Sequence, residues 1–278
     1  MRLADKVAIV TGGTSGIGRK IVERFREEGA AVCFSGRRAE LGAEVSSATG
    51  AMFVAGDVAV EADAARTVRM AVDAYGAVDI LVNNAGMGSR NARLENTPLD
   101  VFDEIMAVHV RGALVHMKLV APTMRARTNG SIINISSIAA HLVGHGSLAY
   151  STAKAALNHL TRCAALELGE DNVRVNSISA GGIATGIFGK IAGMEASAAE
   201  ATAEKVKAAL VGFQPIPRAG LAPVPSVAMP PLPFSPVKFS GLIERLTADD
   251  RRDSVPSDRP RPENSAATLR PPISAPSF

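Results

Sequence analysis

Apolar and polar positions alternate between two periods along the first two hundred residues. Lys6–Thr11 is a short β-branched run, a glycine-rich turn follows, and Ile17–Glu28 places Ile21, Val22 and Phe25 at helical spacing. The same strand-then-helix unit recurs as Ala31–Ser35 with Ala39–Thr49 and as Ala51–Ala55 with Glu61–Tyr75. Next come a strand at Val78–Val82, a long helical stretch at Leu99–Arg125, a strand at Ser131–Ser136, a helix at Leu148–Leu168 and a strand at Val173–Ser177. The strands are almost wholly apolar, as strands of a parallel sheet covered on both faces must be. Regular alternation of this kind predicts an α/β fold with a doubly wound parallel sheet built by right-handed crossovers, in three layers α/β/α.

The pattern stops after Gln214. Fourteen of the sixteen prolines lie beyond it, and Ala219–Val237 carries six of them and no charged residue. Neither a helix nor a central strand tolerates that density. From Asp249 to Phe278 the chain is rich in Arg, Ser and Pro and poor in large apolar residues, which predicts disorder. The expected organisation is one domain over 1–218 and a Pro-rich, disordered or non-native tail over 219–278.

Composition sharpens this only a little. Tryptophan is absent and aromatic residues make up 4%, so the core must come from Ala, Val, Ile and Leu. A net charge of +3, without a dense basic stretch in the first two hundred residues, argues against nucleic-acid binding. Cys33 and Cys163 give no disulfide framework. No apolar run near the start is long enough for a signal or membrane-spanning segment, so a cytoplasmic protein with no membrane partner is expected.

The candidate chemistry sits at the ends of strands. Gly12, Thr14, Ser15, Gly16, Ile17 and Gly18 lie between the first strand and first helix, where small residues let a backbone approach a pyrophosphate at a helix N-terminus. A turn that merely caps the helix is the alternative. After the second strand the sequence runs Gly36-Arg37-Arg38, without the acid that would bind ribose hydroxyls and repel a 2′-phosphate, and Arg37 can offer charge-assisted hydrogen bonds to a phosphate. That favours NADP over NAD, unless both arginines simply begin the next helix. Asp57 and Val58 follow the third strand, at the edge of the crevice, and Asn83-Asn84-Ala85-Gly86 closes the fourth.

Ser137 lies just past the fifth strand, with Tyr150 thirteen residues later and Lys154 one helical turn beyond. The i, i+4 spacing puts phenol and ammonium on one face. A free phenol titrates near 10, so Tyr150 can exchange protons around neutrality only if cationic neighbours stabilise its phenolate.

Together these segments resemble the short-chain dehydrogenase/reductase family, whose patterns are Thr-Gly-x-x-x-Gly-x-Gly, Asn-Asn-Ala-Gly and Ser with Tyr-x-x-x-Lys, over about residues 3–218. The resemblance implies a Rossmann-like fold, a nicotinamide cofactor, and hydride transfer to or from an alcohol or ketone. It assigns Ser137 to the substrate oxygen, Tyr150 to proton transfer and Lys154 to holding the phenolate. It also implies that Asp57 hydrogen-bonds the adenine, that Asn84 lines the cofactor, and that Ile183 and Thr185 contact the carboxamide. A homo-oligomer through helices 99–125 and 148–168 is expected on the same ground.

Three departures stand against that pattern. His109 of His109-Val110-Arg111-Gly112 occupies the place of an Asn whose carbonyl carries a water link to the Lys, part of a proton relay. His109 either substitutes through its imidazole or is a core histidine. Ala180-Gly181 replaces Pro-Gly. Beyond Gly220 the expected helix and seventh strand are missing from the sequence, as a reading-frame change or a fused unrelated end would produce, which would leave the sixth strand as an edge. The rival functional reading is a catalytically silent dinucleotide-binding or scaffold protein. Partner binding by the Pro-rich tail as polyproline II is a third. The apolar stretch Thr185–Phe213 is expected to be a lid over an apolar alcohol or ketone.

Overall fold

A computed structural model describes residues 1–187 together with Ile191 and Met194. Within them, six strands form one parallel sheet: β1 (Val7–Thr11), β2 (Ala31–Gly36), β3 (Met52–Ala55), β4 (Ile80–Asn83), β5 (Gly130–Ser137) and β6 (Val173–Ala180). Their order is β3-β2-β1-β4-β5-β6. Successive residues of a strand send their side chains to opposite faces of the sheet, and the core divides accordingly. Ile9, Cys33, Leu81 and Ile132 point to one face, where α3 (Glu61–Tyr75), α5 (Gly112–Ala126) and α6 (Leu148–Gly169) cover them with Val68, Ala71, Met117, Val120 and Leu168. Ala8, Val10, Val32, Phe34 and Val82 point to the other, against Ile21 and Val22 of α1 (Gly16–Glu27) and Val45 of α2 (Ala39–Thr49). The predicted Rossmann-like three-layer arrangement is what the described residues form.

The chain winds outward from β1 through β2 to β3, then crosses under the sheet by α3 to place β4 on the other side of β1. That reversal opens a crevice beyond the carboxyl ends of β1 and β4, the place where such sheets take ligands. Several strands run further than their apolar pattern indicates. β6 continues to Ala180 because its backbone stays in register with β5, pairing Ser137 with Ala180. Asn83 and Ser137, expected just past their strands, are instead the last residues of β4 and β5.

The long helical stretch is not uniform. α4 (Leu99–Met106) passes through a π-helical turn at Ala107–Arg111 before α5 begins at Gly112. One wider turn of this kind is common near functional sites, and His109 sits in it. The expected tail over 219–278 and most of the expected lid lie outside the described residues. Among the described residues no helix is long and apolar enough to cross a membrane.

Candidate active site

The glycine turn joins β1 to α1 at the centre of the crevice. A Cβ at Gly18 would lie 2.2 Å from the Gly12 carbonyl oxygen and 2.4 Å from Asn84 Nδ2, so only glycine lets the helix seat this close to the turn. The N-cap of α1, Ser15, makes no side-chain capping bond, and no acidic residue stands in the first turn. The helix therefore presents its unpaired N–H groups and positive end to the crevice, which suits a pyrophosphate. Thr14 is buried, Ile17 packs on the core, and the Thr185 side chain comes within 3.4 Å of where a Gly16 Cβ would stand. Ile183 follows the end of β6, partly buried.

Asn84 holds this turn rather than reaching beyond it. Its amide donates to the Thr11 and Gly12 carbonyls at 2.9 and 3.1 Å. The Thr11 hydroxyl accepts in return from the N–H groups of Asn84 and Ala85 at 3.0 and 3.1 Å. Behind it runs a buried amide chain. Asn83 Nδ2 donates to Asn134 Oδ1 at 2.9 Å, Asn134 Nδ2 to the Thr161 hydroxyl at 2.9 Å, and that hydroxyl to the Leu157 carbonyl at 2.7 Å. This chain fastens β4 and β5 to the helix that carries Tyr150 and Lys154.

At the outer end of the crevice the two arginines part company. Arg38 donates to the Thr14 and Ser15 hydroxyls at 3.0 and 2.5 Å, which brings a fixed positive charge onto the glycine turn. Arg37 is 63% exposed and pairs with Asp57 at 3.6 Å. Asp57 also accepts from the Ala59 N–H at 2.9 Å, and the next residue, Val58, is buried. Gly36 has its own steric reason to lack an acid: a Cβ there would lie 2.7 Å from Thr14 Cγ2.

Ser137, Tyr150 and Lys154 meet where β5 and α6 converge. Ser147 caps α6, its hydroxyl accepting from the Tyr150 N–H at 3.3 Å and lying 2.6 Å from the Ser89 hydroxyl. Tyr150 thus occupies the first turn of a 22-residue helix, where the positive helix end favours a phenolate. Lys154 is 3% exposed; its Nζ donates to the Ile135 carbonyl at 2.6 Å and lies 5.6 Å from the Tyr150 ring centre. The Ser137 hydroxyl accepts from the Ala139 N–H at 3.2 Å. Burial pushes the Tyr150 phenol above its usual range, with Ser137 acting in the opposite sense, and burial pushes Lys154 down to about 7. The lowering expected for Tyr150 is therefore not what the protein's own groups produce. Desolvation of the phenolate outweighs them.

His109 is 2% exposed and stands edge-on to Tyr150, ring centres 5.4 Å apart. Its Nε2 lies 2.8 Å from the Met87 carbonyl oxygen and 3.1 Å from the Met87 nitrogen. Burial, and then the nearby Lys154 charge, push its pKa to about 3 against the pull of the Met87 bond. The imidazole is neutral at any pH near 7. Beside the site, a cavity of ≈ 380 Å³ is lined in part by Met87, Ser89, Pro98, Val101, Leu148 and Ala149.

Sequence reasoning passed over three contributors. Arg38 was legible as the neighbour of Arg37, and Ser147 as the residue opening an apolar helix. The Met87 backbone carries no sequence signal, because any residue there has the same N–H and C=O.

Comparison with known proteins agrees with this arrangement. A family model described as short chain dehydrogenase matches residues 6–196. The chain is 40% identical over 192 residues to (+)-borneol dehydrogenase 2 of Salvia officinalis, covering 67% of this chain and 68% of that protein. It is 39% identical over 184 residues to zerumbone synthase of Zingiber zerumbet, covering 64% and 69%, and 40% identical over 192 residues to xanthoxin dehydrogenase of Arabidopsis thaliana, covering 66% and 67%.

Proposed function

The chain belongs to the short-chain dehydrogenase family, and from that premise we propose that it is an NAD(P)-dependent oxidoreductase interconverting an apolar alcohol and its ketone, with Tyr150 as general acid/base. The observation that carries this reading is the convergence of Ser137, Tyr150 and the buried Lys154 beside a glycine turn fit for a dinucleotide. Bound there, the nicotinamide would supply or accept the hydride. Gly12, Thr14, Ser15, Gly16, Ile17 and Gly18 would hold the pyrophosphate, Asp57 and Val58 the adenine side, and Ile183 and Thr185 the carboxamide.

The protein's own part is proton transfer. The Ser137 hydroxyl donates a hydrogen bond to the substrate oxygen and fixes it next to Tyr150 Oη. In the oxidative direction a Tyr150 phenolate takes the hydroxyl proton; in the reductive direction the phenol gives it back. Lys154, its Nζ 5.6 Å from the centre of the Tyr150 ring, stabilises the phenolate whenever it carries its charge. The apolar share of the cavity lined by Met87, Val101 and Leu148 supports an apolar substrate body. Two of the relatives are named dehydrogenases, which supports the same reaction class.

NADP is the favoured cofactor, since Arg38 and Arg37 place positive charge where an acid would otherwise stand. Exposed Leu114 and Leu166, on α5 and α6, support a homo-oligomer through helices 99–125 and 148–168. Titration with NADH and NADPH, followed by turnover of an alcohol and ketone panel by wild type and Tyr150→Phe, tests the function. Equal rates in the two proteins would remove the enzyme reading and leave the silent dinucleotide-binding protein.

A further inference from the structure

Among the buried side-chain atoms without a hydrogen-bond partner in the described residues are His109 Nδ1 and Asn83 Oδ1, next to the site. Both residues line one small internal void, together with Thr11, Val58, Ala85, Val108 and others, and the void has ≈ 10 Å³ of room. His109 and Asn83 are 2% and 5% exposed, so bulk water does not reach them freely. A buried acceptor left unsatisfied destabilises the fold, and a void of roughly this size is the least that holds one water molecule.

The hydrogen-bond directions are determined by the chain behind. Asn83 Nδ2 faces Asn134 Oδ1, whose own amide donates to Thr161, so Asn83 Oδ1 is the acceptor left over. His109 Nε2 cannot donate to the Met87 carbonyl and accept from the Met87 N–H at once; the shorter contact, to the carbonyl, places the proton on Nε2, gives up the N–H contact and leaves Nδ1 as an acceptor too. Two acceptor-bearing side chains that line one void can both be satisfied by a single molecule with two O–H donors.

We propose that this void binds one ordered water, which donates to His109 Nδ1 and Asn83 Oδ1 and so makes both of them positioning residues for the Tyr150 ring. The water fixes the Nε2–H tautomer, the tautomer holds the Met87 loop, and the imidazole edge fixes the phenol. It also joins the amide chain Asn83–Asn134–Thr161 to the π-helical turn. Lys154 takes no part, since its Nζ bonds the Ile135 carbonyl and it does not line the void.

A crystal structure of the full chain at atomic resolution reads the water directly, and nitrogen-15 NMR of histidine-labelled protein reads the tautomer. The expected result is one density peak within hydrogen-bond distance of both atoms and a neutral Nε2–H ring from pH 5 to 9. A dry void, or an Nδ1–H tautomer, overturns the assignment; neither measurement depends on turnover or on His109 variants folding. His109→Phe keeps an aromatic edge but removes both bonds. It should lose the peak and lower kcat about tenfold with an unchanged cofactor KM. Unchanged kcat would overturn the positioning role, and a retained peak would overturn the water's dependence on His109. Only the kinetic arm rests on the oxidoreductase reading, so inactive wild-type protein with the peak present would sink that reading and not the water.

Discussion

Lys154 Nζ donates to the carbonyl oxygen of Ile135 at 2.6 Å, so this cation beside Tyr150 is buried and anchored to the strand that ends in Ser137. Burial pushes its pKa from 10.5 to about 7, which means the folded protein binds fewer protons than the unfolded chain between those values. Stability should therefore rise with pH across pH 7 to 10.5, by up to ~1.4 kcal/mol per pH unit, and the full cost of burying the charge should be present below pH 7. Lys154→Met should flatten that rise in urea melts and lower turnover by about 100-fold or more. A variant with the wild-type slope would refute the assignment of the slope to Lys154.

Two histidines should shape the acid limb. His109 is pushed to about 3 and His116 is also lowered, each chiefly by burial, so the unfolded chain takes up protons first as pH falls below 6.5. Stability is lost from pH 6.5 downward. His116 has a buried Nε2 without a partner among the described residues. His116→Leu should leave stability at pH 7 equal or raise it by about 1 kcal/mol, and should reduce the fall between pH 6.5 and 5. Denaturation at four pH values decides it, an unreduced fall counting against the mechanism.

Glycine substitutions separate close packing from ordinary helix. Gly18→Ala places a methyl 2.2 Å from the Gly12 carbonyl oxygen and should cost about 1–3 kcal/mol or more, as in overpacked cores, and abolish dinucleotide binding. Gly169→Ala meets nothing within 4 Å at the end of α6 and should be neutral or stabilise by about 0.5–1 kcal/mol. Thermal melts with and without NADPH compare the two, and a well-folded, NADPH-binding Gly18→Ala protein would contradict the packing argument.

Cofactor choice should follow Arg38 more than Arg37. Arg38 is fixed to the Thr14 and Ser15 hydroxyls, whereas Arg37 is exposed and already paired with Asp57. Arg38→Leu should weaken NADPH binding about tenfold or more while changing NADH binding less, and Arg37→Ala should have the smaller effect, since exposed charges are screened. Fluorescence titration with both cofactors gives the comparison. The reverse order would show that the exposed arginine does the selecting.

By itself the sequence determined the kind and order of the elements, because apolar periodicity reports which side of each element faces a core. It also determined that Gly12 to Gly18, Asn83-Asn84, Ser137 and Tyr150 with Lys154 fall at strand ends and on one helix face, since local spacing alone places them there. Tertiary structure decided what those side chains do. Asn84 is spent on the Thr11 and Gly12 carbonyls, residues 73 and 72 positions away. Arg38, not Arg37, turns onto the glycine turn. His109 is a neutral ring because the fold buries it beside Lys154, against the pull of the Met87 bond, and the helix pattern around it reveals none of these surroundings. Hydrogen bonding and desolvation depend on which groups meet in space, and one-dimensional spacing carries that information only within a turn or two of helix or across a single strand.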